Sequence, residues 1–332
     1  MPERPTPRFP FAGPLLRAVA WRRKVRGPLR ESWTLEHETL SRFLHHYARR
    51  STLLPLRLQR AALDVLRPPE RADVRIERVM ANGVPGAWVR PVSADPHRVL
   101  YYLHGGGYSI GSIDSHRAFV AKLAKDAGVT AFLIDYRLAP EHRFPAQLDD
   151  ARAAWQWLLG QGVDPKRTVI AGESAGGGLT MSTLVALKQA GGAMPAAAAV
   201  ISPWVDLTLS GRSIEHNARY DYLPRHVLRT YVTRVVGAQD PRDPRISPLY
   251  ADLTGLPPLL VIAGGAEAIV DDARELAARA RTAGVEVELR EHDDQIHAFP
   301  LFMHLPASRA AIAELAAFVR RHTAHEGHPL GR

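Results

Sequence analysis

Residues 172–176 read Gly172-Glu173-Ser174-Ala175-Gly176, and they join two stretches of opposite character. Thr168-Val169-Ile170-Ala171 is short, apolar and β-branched, as a buried strand is, whereas Leu179 to Leu187 has the length and composition of a helix and stops at Gly191-Gly192. A chain passing from strand to helix within five residues must turn sharply, and side chains at 172 and 176 would collide with neighbouring elements. Glycine removes the clash. The pattern therefore predicts a serine on a strained turn, its hydroxyl presented beside the positive end of the following helix, where a developing oxyanion is favoured.

A second glycine loop points the same way. Arg98 to Leu103 reads as a buried strand and runs into His104-Gly105-Gly106-Gly107. Gly106 and Gly107 can turn their N–H groups inward, with the N–H of Ala175 as a third donor, to form an oxyanion hole. His104 is expected to brace this loop rather than act as a base. Nucleotide-binding loops are excluded: Ile110 stands where a G-x-G-x-x-G run from Gly105 needs glycine, and no Gly-Lys-Ser/Thr occurs after a glycine run.

A serine nucleophile needs a base, and the base needs an orienting carboxylate; on an α/β-hydrolase scaffold the chain order is serine, acid, histidine. His297 follows the expected strand Val285–Leu289 and precedes the last helix, where such a base belongs. His292 lies too close to its strand to swing over the serine, while His216 and His226 fall in an arginine-rich stretch with no preceding strand. For the acid, the apolar run Pro257–Ala263 leads to Glu267 in the turn at its end, with Asp271 in reserve. Asp271 and Asp272 are expected in the first turn of the next helix, where carboxylates suit the dipole.

These residues carry a family resemblance. From about Val74 to Phe318 the chain resembles the hormone-sensitive-lipase-like family of α/β-hydrolases, which includes bacterial carboxylesterases and lactone and acetyl-ester hydrolases. The likeness rests on His104–Gly107, Asp135–Ala146, Gly172–Gly177, Ser202-Pro203-Trp204, Ile246–Leu249 and Ile296–Phe299. It implies that Tyr136, Arg137 and Glu141 brace the floor of the site. The family commonly places Asp-Pro-Leu about thirty residues before the histidine; here the matching residues are Glu267-Ala268-Ile269, so the acid departs from the pattern.

Patterning along the chain gives strands near 74–80, 84–92, 98–103, 130–136, 168–172, 197–202, 258–263 and 285–291, with Asn82-Gly83 as a hairpin turn between the first two. Helices are expected near 114–127, 147–159, 175–190, 269–283 and 307–322. An antiparallel start followed by βαβ units predicts an α/β fold: a mixed, mostly parallel sheet with helices on both faces. Two stretches break the alternation. Residues 1–66 read as a basic arm with helical patches around 33–50 and 55–66, and residues 205–250 carry a helix near 224–236. The resemblance implies that such segments form a helical cap on a catalytic domain spanning 67–325, with 326–332 as a tail. Tyr108, Trp204, Leu207 and Tyr222 are candidate pocket residues, each equally readable as core.

Charge is unevenly placed. Residues 1–60 hold 13 Lys/Arg against 4 Asp/Glu, which accounts for the whole formal net charge of +9. A solvated basic extension is the plainer reading, peripheral contact with an anionic membrane the sharper one, and nucleic-acid binding lacks a recognition fold. With no cysteine, disulfides, thiolate metal sites and thiol redox chemistry are excluded. No cofactor or metal is called for. Arg17 interrupts the one apolar stretch that could serve as a signal peptide, so the cytoplasm is the expected compartment. The reading is a serine carboxylesterase acting on short- to medium-chain esters. A lactone hydrolase with the same triad is the alternative, and a non-catalytic binding protein on a hydrolase scaffold a remote one.

Overall fold

The β-branched and apolar runs assemble into one eight-stranded sheet: β1 (Val74–Ala81), β2 (Val84–Pro91), β3 (Asp95–Leu103), β4 (Val129–Ile134), β5 (Thr168–Glu173), β6 (Ala197–Ile201), β7 (Leu259–Gly264) and β8 (Val287–His292). A computed structural model describes residues 12–65 and 72–324; the first eleven residues of the basic arm, the 66–71 link and the 326–332 tail lie outside the described residues. The strand order is β1-β2-β4-β3-β5-β6-β7-β8. β1 and β2 pair antiparallel, as do β2 and β4, and every later pair is parallel. Asn82 (φ 50°) and Gly83 (φ 86°) make the hairpin turn, both in the left-handed region that such a turn demands. Strands β4 to β7 are buried along their whole length, which is why their sequences read as unbroken apolar runs.

Helices α1 (Ala12–Arg26), α2 (Leu35–Ser51), α3 (Leu56–Val65), α4 (Ile113–Ala127), α5 (Ala146–Gly160), α6 (Ala175–Gln189), α7 (Ser213–His216), α8 (Arg225–Val236), α9 (Val270–Thr282) and α10 (Pro306–Thr323) complete the described chain. Trp155 of α5, Leu179 and Leu184 of α6 and Leu276 of α9 pack on one face of the sheet. Phe119 and Leu123 of α4 and Ile312 and Leu315 of α10 pack on the other. Each face thus has its own buried apolar layer, the arrangement a mostly parallel sheet requires.

Apart from shifts of one or two residues at element ends and the added short helix α7, two details differ from the sequence reading. β3 starts at Asp95 rather than 98, because Asp95 pairs with Val129 ahead of a register shift at Val99. Residues 12–26 form a helix where only a basic arm is expected. The apolar residues of α1 do not gather on one face, so its order comes from tertiary contacts. Val19 is buried, and the Arg23 guanidinium donates to the carbonyl of Trp33 and to buried Glu38 at the start of α2.

The segments outside the alternation meet along the rim formed by the C-terminal ends of the parallel strands. Arg60 of α3 donates to the carbonyls of Ser109 and Ala139 and pairs with Glu141. Ser41 and His45 of α2 hydrogen-bond the backbone carbonyls of Tyr220 and Asp221, and Trp33 Nε1 donates to the carbonyl of Asp294. Among the described residues, no helix is long and apolar enough to cross a membrane.

Candidate active site

Ser174 sits between β5 and α6 with φ 55° and ψ −121°, a conformation that side chains avoid and that only a tightly held turn sustains. Its N–H donates to the carbonyl of Ile201, and its carbonyl accepts from Gly178 and Trp204. The flanking glycines are obligatory for space. A Cβ at Gly172 would lie 2.4 Å from the carbonyl oxygen of Gly176, and one at Gly176 would lie 2.0 Å from that of Leu103. Backbone cannot yield as a flexible side chain can, so Gly176→Ala is expected to cost about 4 kcal/mol or more. Gly160→Ala is the control: it meets nothing within 4 Å and should be neutral or slightly stabilising in urea denaturation.

The loop after β3 is equally constrained. Gly106 and Gly107 have φ of 107° and 59°, and a Cβ at Gly107 would come within 2.6 Å of the Tyr231 ring. The loop is tied to the turn by Glu173, the residue before the serine. Its buried carboxylate accepts from the N–H of Gly105, the hydroxyl of Tyr102 and His116 Nε2, the last at 2.8 Å. Burial opposes charge on both partners, yet their mutual attraction outweighs it: Glu173 is held below the usual carboxylate range and His116 above the usual imidazole value. His104 stacks on Tyr136 at 4.2 Å and on His116 at 5.3 Å between ring centroids, and burial, aided by the charge of His116, drives its pKa down to about 3. It is a neutral packing group, and its carbonyl accepts from the Tyr136 hydroxyl at 2.7 Å. Arg137 and Glu141 brace helices instead, pairing with Asp150 of α5 and Arg60 of α3.

Glu267 and His297 lie in the turns after β7 and β8, both almost wholly buried, with Glu267 Oε2 3.7 Å from His297 Nδ1. That is an ion-pair separation, longer than a hydrogen bond. Two residues absent from the sequence reading of the triad hold these turns together. Ser202, at φ 45°, donates to Glu267 Oε2 at 2.5 Å and accepts from the N–H of Ala298 at 2.9 Å. Asp221 accepts from the backbone N–H of His297 at 3.1 Å and of Ala268 at 2.6 Å. Burial lowers the His297 pKa, but contact with Glu267 and the charges of Glu267, Asp221 and Glu173 outweigh it and leave the imidazole above its ordinary value.

The other candidates point elsewhere. Asp271 accepts from the N–H of Ser213 at 2.9 Å and pairs with Arg274, and neither of these contacts faces His297. Asp272 holds the N–H groups of Val205 and Asp206; burial and the charge of Asp206 raise its pKa well above the carboxylate range. His292 pairs with Glu314 of α10 at 3.1 Å. Among the four candidate pocket residues, Tyr222 stands edge-on to the His297 ring at 5.8 Å and donates its hydroxyl to the His297 carbonyl. Tyr108 and Trp204 are buried together, close against Gly178, and Leu207 is buried with its N–H on Ser247 Oγ. Tyr231, which the sequence reading omits, lies directly on Gly107. The stripe Val227, Tyr231 and Val235 along α8 is the signal that could have placed it inward.

Residues 100–301 match the family model described as the alpha/beta hydrolase fold. An acetyl-hydrolase of Streptomyces hygroscopicus is 44% identical over 238 residues, 71% of this chain and 79% of the relative. An esterase of Acinetobacter venetianus is 33% identical, the match covering 75% of this chain and 83% of the relative. The crystal structure of an esterase from the bacterial hormone-sensitive lipase family superposes with a TM-score of 0.77 at 38% identity, covering 94% of this chain and 99% of that one. The chain belongs to the α/β-hydrolase family, in its hormone-sensitive-lipase branch. A hormone-sensitive lipase crystal structure from a metagenome library matches with a TM-score of 0.83 at 36% identity, over 87% of this hydrolase and 98% of that chain. The family pattern thus extends along most of the hydrolase, including the turns that carry Ser174, Glu267 and His297.

Proposed function

We propose that this hydrolase is a serine carboxylesterase working through an acyl-enzyme. The observation that carries the reading is that all these residues follow the C-terminal ends of parallel strands: Gly106 and Gly107 follow β3, Ser174 follows β5, Glu267 follows β7 and His297 follows β8. In this reading His297 takes the proton from Ser174 as its oxygen attacks the ester carbonyl, and the N–H groups of Gly106, Gly107 and Ala175 hold the resulting oxyanion. His297 returns the proton to the leaving alkoxide, then activates water to release the acid. Glu267 fixes the imidazole tautomer and stabilises its cation, closing the 3.7 Å gap as the charge develops. Ser202 and Asp221 are positioning residues that keep the acid and histidine turns in register. The helical segments 12–65 and 205–250 act as the cap, and Tyr222 and Tyr231 wall the site.

Two relatives carry the names acetyl-hydrolase and esterase, and these names support short-chain carboxylic esters as the substrates of this hydrolase. A p-nitrophenyl ester series from acetate to laurate, run beside a panel of lactones, tests this. Turnover is expected on the short esters, with kcat/KM falling as the acyl chain lengthens. No hydrolysis of any ester in the series overturns the reading, and faster turnover of lactones reassigns the substrate.

The state of His297 sets the pH profile. A base must be neutral to accept the serine proton, and this imidazole titrates above its ordinary 6.5. The acidic limb of kcat/KM is therefore expected above pH 6.5, with activity falling as pH drops through it. In Glu267→Gln the largest raising influence is gone while burial remains, so the limb should move to lower pH.

A further inference from the structure

A cleft of about 600 Å³ opens between α2 and the 217–222 segment, lined by Arg42, His45, His46, Arg49, Arg50 and Arg219 with Ser41 at its floor. No carboxylate belongs to its wall. Arg42 is partly neutralised by Glu38, which it shares with Arg23. Among the described residues the other three guanidinium groups meet no acid: Arg50 touches His46, Arg219 turns to the hydroxyl of Tyr220, and Arg49 hydrogen-bonds only through its backbone, where its carbonyl accepts from Thr52. Three uncompensated cations facing one concavity repel one another, and an entering anion relieves that repulsion. His45 is fixed in place, its Nδ1 2.8 Å from the carbonyl of Asp221, which leaves Nε2 for a ligand.

We propose that this cleft binds a phosphate group. Guanidinium pairs offer planar, bidentate donors that match phosphate oxygens, and the volume holds a phosphate with a glycerol-sized substituent. Such a group could come from a soluble phosphomonoester or from an anionic lipid headgroup. The lipid source has its own support, because Leu53 and Leu54, three and four residues beyond Arg50, are exposed at 83% and 46% and would meet a bilayer surface beside the arginines. The site is distinct from the ester site and does not depend on the esterase reading. Asp221 lies between the two: its carbonyl holds His45 and its carboxylate holds the backbone of His297.

The test uses the full chain carrying Ser174→Ala, so that turnover cannot confuse binding whether or not the esterase reading holds. Inorganic phosphate and glycerol 3-phosphate are titrated calorimetrically at low ionic strength. Vesicles of phosphatidylcholine with and without phosphatidylglycerol are co-sedimented in parallel. Arg49→Gln/Arg50→Gln is expected to weaken binding about tenfold or more, since charge-assisted contacts are lost. Arg219→Gln, on a separate segment, should weaken it independently, and unchanged melting temperatures report that both variants fold. Binding of soluble phosphates that resists vesicle competition identifies a phosphomonoester site; binding confined to phosphatidylglycerol vesicles identifies a headgroup site. Absence of both, or binding that neither arginine variant weakens, overturns the proposal.

Discussion

Ser174→Ala is expected to lose about 10⁶-fold in kcat on p-nitrophenyl esters, the scale on which a serine hydrolase depends on its nucleophile acting with its base. Covalent labelling by fluorophosphonates should vanish with it. The substitution removes one hydroxyl and no contact that the turn relies on, because Ser174 is held through its backbone to Ile201, Gly178 and Trp204. Melting temperature and far-UV circular dichroism should therefore match the parent. Turnover persisting at the parent rate would place the chemistry elsewhere. A lost activity accompanied by unfolding is separated from this by the melting curve.

The second large effect belongs to the acid. Glu267→Gln is expected to lower kcat by about 10³- to 10⁴-fold, because the amide can offer its N–H₂ to the imidazole and select the wrong tautomer, and no longer stabilises the imidazolium. Asp271→Asn should change kcat by less than about threefold, since its partners are the N–H of Ser213 and the half-exposed Arg274. The comparison is sharp because the two carboxylates lie four residues apart yet face different parts of the molecule. A larger loss in Asp271→Asn than in Glu267→Gln would reverse the assignment.

Much of this was readable in one dimension for a local reason. The five-residue turn around Ser174, the glycine loop after β3 and the Asn82-Gly83 hairpin each depend on backbone geometry that few residues can adopt. The chemistry of those positions is therefore written at the positions themselves. Unbroken apolar runs likewise announce strands buried on both faces. Ser202 and Asp221 were not legible as partners of the acid and histidine. Each bridges residues far along the chain, Ser202 to Glu267 and Ala298, Asp221 to Ala268 and His297, and neither carries a spacing that marks it. His116 escaped in the same way. Its pairing with Glu173 joins the start of α4 to the end of β5, and no local pattern announces it.

The sequence by itself determined the sheet, the sharp turn at Ser174 and the glycine loop after β3, because each is set by short-range sterics or by the periodicity of burial. Tertiary structure alone decided which carboxylate faces His297, that Glu173 and His116 meet in a buried contact beside the glycine loop, and that the arginines of α2 share a cleft with Arg219. Those outcomes depend on distances between side chains remote in the chain. Desolvation and Coulomb attraction act through space, so they exist only once the fold has brought the groups together.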